Sequence, residues 1–156
     1  MMDELRELYQ EVILDHGKHP RNFGKLEDAN RHAYGNNQLC GDRIHVHMKV
    51  GGNGLIEDVK FEGRGCAIST ASASMMTEIL KGRTAGEAEA LFEHFHEMCT
   101  GNEAAQAPRD GEDPDAVERL QMLSGVRQFP MRVKCATLPW HTMKAAMHGE
   151  EKVSTE

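Results

Sequence analysis

The stretch "IHVHMKVGGNGLIEDVKFEGRGCAISTASASMMTEILKG", residues 44–82, contains a change of period that decides the fold. Ile44, Val46, Met48 and Val50 alternate with His45, His47 and Lys49, the two-residue repeat of a strand with one buried face. "GGNG" (51–54) supplies a hairpin loop, and "LIEDVKFEG" (55–63) returns as a second strand. Glu57 interrupts the alternation and marks a β-bulge. From residue 69 the apolar spacing turns helical, with Ser69 or Thr70 as N-cap and Gly82 as the stop.

Working outward, helices surround this hairpin. Residues 4–16 carry Leu5, Leu8, Tyr9, Val12 and Ile13 on one helical stripe. "GKHPRNFG" (17–24) ends that helix, and residues 18–42 read as an irregular surface loop. Thr84 and Glu87 stand in capping-box spacing before "LFEHFHEMC". Residues 100–114 are small, polar and Pro/Gly-punctuated, the composition of a mobile loop; a short helix follows over 115–126. The last helix is expected from about Leu138 to His148, with Pro139 near its start. Strands in a block with helices after them predict an α+β domain over residues 1–149 and a disordered tail at 150–156. Met75, Met76, Met98, Met122, Met131, Met143 and Met147 are read as core filler.

Composition narrows the function. The 156 residues carry a formal net charge of −7, against nucleic-acid binding, which needs clustered Lys and Arg. No apolar run reaches the roughly 18 residues of a membrane span. The acid-rich N-terminus does not read as a signal or transit peptide, so a cytoplasmic location is expected. In reducing cytosol, four cysteines point to metal binding or catalysis rather than disulfides.

Three of those cysteines share a setting. Cys40 precedes Gly41-Asp42 where the first strand begins, and Cys66 follows "EGRG" where the second ends. Cys135 lies in "VKCATLPW", ahead of the last helix. An antiparallel hairpin brings Cys40 beside Cys66. Cys66 and Cys135 are both expected near helix N-termini, where the dipole favours thiolate. Cys40, Asp42, Cys66 and Cys135 can therefore offer three sulfurs and one oxygen to a tetrahedral Zn2+. Cys99, on an apolar helix without glycine neighbours, is read as structural. His45 and His47 read as solvated strand-face residues, because no further ligand lies nearby in sequence; His94 and His96 read as a wet helix face.

"LYQEVILDHGKHPRNFG", "CGD", "FEGRGCAISTASASMMT" and "FPMRVKCATLPW" together resemble the SufU branch of the IscU-like (NifU N-terminal) iron–sulfur cluster assembly family, from about Leu8 to Trp140. Scaffold-type members carry His before the last cysteine, where this chain has Lys134, and an LPPVK stretch that "QFPMR" does not match. A protonated ammonium is no ligand, so the fourth position falls to Asp42. Residues 100–114 resemble the inserted loop of the SufU branch.

The resemblance implies an IscU-like fold and a zinc-dependent sulfurtransferase whose Cys40 accepts persulfide sulfur from a SufS-type, pyridoxal-phosphate-dependent cysteine desulfurase, with downstream iron–sulfur assembly proteins as later partners. Three thiolates and a carboxylate on Zn2+ leave a site charge of about −2, which Lys134, Arg132 and Arg64 are placed to offset. Two alternatives stand beside it: a scaffold for a [2Fe–2S] cluster on the same residues, and a structural zinc module for protein contact.

Overall fold

The structure is a computed structural model describing the backbone of residues 2–100 and 103–154 and the side chains of residues 9–100 and 105–154. The elements run α1 (Met2–Lys18), β1 (Arg31–Asn37), β2 (Asp42–Val50), β3 (Ile56–Arg64), α2 (Ala67–Leu80), α3 (Ala85–Cys99), α4 (Pro114–Leu123), α5 (Pro130–Met147) and β4 (Lys152–Ser154). The strands form one sheet in the order β3-β2-β1-β4, in which β4 alone pairs in parallel. α5 lies against β1 and β2, α2 against β3 and α5, and α1 against α2. Among the described residues, no helix is long and apolar enough to cross a membrane.

The β2–β3 hairpin alternates as its sequence requires. Ile44, Val46 and Met48 are buried and face the helices, while Arg43, His45 and His47 take the other side. Lys49 pairs with Asp58 but Val50 with Ile56, so Glu57 is the extra residue of the expected bulge. Thr84 and Glu87 form the full capping box of α3. The core gathers around Trp140, Phe95, Met48, Met75, Met76, Met98 and Met143, all fully buried. Met131 does not join it and stands exposed.

Four expectations change. Residues 31–37 are not loop but strand β1, whose inward positions are Ala33, Gly35 and Asn37. That face is too small and polar to give an apolar alternation. The expected disordered tail contains β4, paired with Tyr34–Asn36 of β1. α5 begins eight residues earlier than expected and carries Pro139 inside it. His94 is fully buried rather than wet: Nδ1 lies 2.8 Å from a Glu112 carboxylate oxygen and Nε2 meets the Ala105 carbonyl. These bonds fasten the polar stretch after α3, with a 3-10 turn at Glu103–Gln106, to that helix. The stripe residues Val12 and Ile13 pack on the core; the side chains of Leu5 and Leu8 lie outside the described residues.

Candidate metal centre

Three elements converge where β1 passes into β2. Residues 38–41 are a tight turn, closed by the Gly41 N–H on the Gln38 carbonyl at 3.3 Å. Cys40 therefore rides a hairpin turn, not the end of a long irregular loop, and it is half-buried. Gly41 has φ +71°, a left-handed conformation that glycine reaches without the Cβ penalty. Asp42 opens β2 opposite Asn37, with its side chain turned inward and fully buried.

Cys66 is the N-cap of α2, displacing the expected Ser69 or Thr70. Its sulfur accepts the Ser69 N–H at 3.4 Å, and its own N–H donates to Asp42 Oδ1 at 2.8 Å. The helix dipole thus meets Cys66 as expected. It does not meet Cys135 in that way. Cys135 sits in the second turn of α5, fully buried, and burial pushes its thiol well above the usual range, with Cys40 and Asp42 adding to the effect.

One sulfur of the set donates to another: the Cys135 S–H points at Cys40 Sγ, 3.2 Å away. That is too long for a disulfide, whose sulfurs stand about 2.05 Å apart. Donor atoms of Cys40, Asp42 and Cys135 all lie within 4.8 Å of one another. Cys66 joins this trio through Asp42, its sulfur 4.0 Å from Oδ2. The hairpin was expected to bring Cys40 against Cys66; the closest sulfur pair instead bridges the β1–β2 turn and α5.

Two features of this cluster fit a cation. Asp42 is a buried carboxylate that meets the Cys66 N–H and cysteine sulfurs, and an ionised carboxylate away from water needs an opposing charge. Opposite it, the fully buried Asn37 side chain has neither polar atom hydrogen-bonded, a feature no local sequence pattern foretells. Two sulfurs on a tetrahedral zinc stand about 3.8 Å apart, from Zn–S bonds of about 2.3 Å. A cation held by Cys40 and Cys135 would take both as thiolates, so the Cys135 proton would have to leave.

Of the three cationic residues expected around the site, Arg132 faces the sulfurs. The Cys66 charge, then its hydrogen bond to Cys135, hold the Arg132 guanidinium above its ordinary value. Lys134 is half-buried on α5 next to Cys135, and Arg64 is exposed at the end of β3, opposite Arg43. Cys99 is apart from all of this: it is buried in the core, and burial alone pushes its thiol up to about 12.

Gly65 matters through the space it leaves. A Cβ there would stand 2.6 Å from Asp42 Oδ1, the atom that receives the Cys66 N–H. Gly65→Ala is expected to push the carboxylate off its N–H and weaken metal affinity by at least about tenfold, as lost metal-site hydrogen bonds commonly do. A competition titration against a chromogenic chelator measures it; unchanged affinity would show that the carboxylate does not depend on that contact.

The profile of the NifU-like N terminal domain family matches residues 8–136. A Bacillus subtilis protein described as the zinc-dependent sulfurtransferase SufU is 45% identical over 144 residues, 92% of each chain. A Streptococcus pyogenes protein described as the iron–sulfur cluster assembly scaffold IscU is 40% identical over 146 residues, 94% of this chain and 86% of that one. Among solved structures, one from Fervidobacterium islandicum, described as a putative iron–sulfur cluster assembly scaffold protein for the SUF system, superposes with a TM-score of 0.78. It is 35% identical, and the match covers 91% of this chain and 98% of the other.

Proposed function

The chain belongs to the NifU-like N-terminal domain family, and on that premise we propose that it is a zinc-dependent sulfur acceptor of iron–sulfur cluster biogenesis. One observation carries this reading: a buried carboxylate and two sulfurs lie within 4.8 Å of one another, with a third sulfur adjoining. Cys40, Asp42, Cys66 and Cys135 would hold one Zn2+ per chain. The ion supplies charge that keeps sulfur as thiolate without redox chemistry of its own.

The remaining work falls to the chain. Cys40 thiolate attacks the terminal sulfur of a cysteine persulfide on a SufS-type desulfurase. The desulfurase S–S bond breaks, its cysteine leaves as thiolate, and Cys40 keeps the extra sulfur as its own persulfide. One S–S bond forms as one breaks, so no external oxidant or reductant is required. Arg132, with Lys134 beside Cys135 and Arg64 at the end of β3, offsets the negative charge of the thiolates. Leu39, Phe129 and Met131 are about 60% exposed and flank Cys40 and the start of α5, an apolar rim suited to a docking protein.

The competing reading, a scaffold carrying a [2Fe–2S] cluster on the same residues, predicts iron and a visible chromophore. Protein purified without added metal is expected to contain about one zinc per chain and to take up sulfur in a single turnover with desulfurase and cysteine. Iron and acid-labile sulfide in place of zinc would establish the scaffold.

A further inference from the structure

The outer face of the sheet, opposite the helices, carries a second group of ligating side chains. The strand register builds it. His32 of β1 stands opposite His47 of β2, Tyr34 opposite His45, and His45 opposite Glu62 of β3. His47 Nε2 lies 3.0 Å from Glu62 Oε1, and His45 Nδ1 lies 3.4 Å from the same oxygen. All three donor atoms fall within 4.8 Å of one another. Donors sharing one transition ion at about 2.1 Å stand roughly 3.0–3.4 Å apart. His45 and Glu62 open onto a surface groove of about 960 Å³ between Lys25 and β4.

We propose that His45, His47 and Glu62 form a second metal site that takes a divalent ion of the imidazole–carboxylate class, such as Fe2+, Co2+, Ni2+ or Zn2+. Two imidazoles and one carboxylate match the donor preference of these ions and leave positions open to water. The orientation of His45 is fixed before any ion arrives. Its Nε2 lies 3.2 Å from His32 Nδ1, so the nitrogen not facing Glu62 already has a hydrogen-bond partner. That is the support ligating histidines usually receive from their second nitrogen. The Tyr34 ring stacks on the His45 imidazole, centroids 3.9 Å apart and 17° from parallel.

Protonation agrees with this geometry. Burial, then the His47 and His32 charges, hold His45 below its ordinary value, and the His47 hydrogen bond holds the Glu62 carboxyl below its own. Near neutral pH the site offers a neutral imidazole and an ionised carboxylate. An incoming cation replaces the proton shared between His47 and Glu62. Lys25 on the groove near Glu62, Lys60 across from His47, and Arg43 beside His45 are nearby positive charges that oppose it.

This site is separate from the sulfur cluster. Asp42 points inward and His45 outward on β2, three residues or about 10 Å apart along the strand. Cobalt tells the two apart, because thiolate-bound Co2+ shows a sulfur-to-metal charge-transfer band and Co2+ on nitrogen and oxygen does not. In a titration of the intact protein with Co2+, one equivalent without that band is expected. Glu62→Gln, which keeps the side-chain shape, should weaken that equivalent at least about tenfold, and His47→Ala likewise. His32→Phe should weaken it by about 10–100-fold through loss of the orienting contact. The charge-transfer signal should be the same in all three variants. Absence of any thiolate-free Co2+, or wild-type affinity in Glu62→Gln, would overturn the site whatever metal the sulfur cluster holds.

Discussion

Cys66→Ser is expected to lose its metal while its metal-free fold stands. The two effects separate because Cys66 has two roles. As the N-cap of α2 its sulfur accepts the Ser69 N–H, and its backbone N–H anchors Asp42. Serine is among the strongest N-cap residues, so the helix start survives and the backbone bond to Asp42 is untouched. What goes is a sulfur donor. Metal present at a hundredfold over its Kd stabilises a protein by about 2.7 kcal/mol. For a chain of this size that increment raises Tm by roughly 5–10 °C. The wild type should show the increment when zinc is added to metal-free protein, and Cys66→Ser should not, the two metal-free proteins melting alike. Cys99→Ser should keep the full increment. Zinc retained in full by Cys66→Ser would remove Cys66 from the ligand set.

The hairpin and its bulge were legible because apolar and polar residues alternate along β2, and α3 because Thr84 and Glu87 carry its capping box in the sequence. β1 was hidden for a packing reason. α5 lies against it, and the residues turned toward that helix are Ala33, Gly35 and Asn37, which give no apolar signal. β4 is short and polar, and its existence depends on pairing with β1, which no local pattern records. The start of α5 was misplaced because Pro139 reads as a helix beginning. Inside the helix proline removes the bond its N–H would give to the carbonyl of residue 135 and crowds that carbonyl with its ring, and the buried surroundings of Leu138 and Trp140 hold the helix through it. The same misplacement put Cys135 at a helix end rather than in the buried second turn.

The candidate cluster was therefore readable as a set of neighbouring residues and unreadable as a geometry. Cysteines read at element ends, Cys40 and Cys66 beside glycines and Cys135 ahead of the last helix, pointed to the set, with Asp42 two positions from Cys40. The 3.2 Å Cys40–Cys135 contact depends on how α5 packs across the sheet, which is long-range information. The His32–His45–His47–Glu62 group was missed for a related reason. Glu62 reaches His45 through the β2–β3 register, and His32 through a strand that left no pattern.

A single turnover with a SufS-type desulfurase and cysteine is expected to place the extra sulfur on Cys40 and nowhere else. The three candidate sulfurs differ in what holds them. Cys135 is fully buried within α5, so presenting its sulfur to a partner would mean unwinding a packed helix. Cys66 caps α2 and is tied to both Ser69 and Asp42. Cys40 is half-buried on a tight turn next to Gly41, where the backbone moves at little cost, and the exposed Leu39 lies beside it. With a metal bound, withdrawing Cys40 would leave Asp42, Cys66 and Cys135 to hold it with one position open, as reactive rather than closed zinc sites have. Cys40→Ser should consequently abolish sulfur uptake, and Cys66→Ser should abolish it through loss of the metal. Mass spectrometry of alkylated peptides after the turnover reads the position directly. Sulfur found mainly on Cys66 or Cys135 of the wild type, or full uptake by Cys40→Ser, would assign the acceptor elsewhere and would mean that backbone freedom at the turn does not choose the nucleophile.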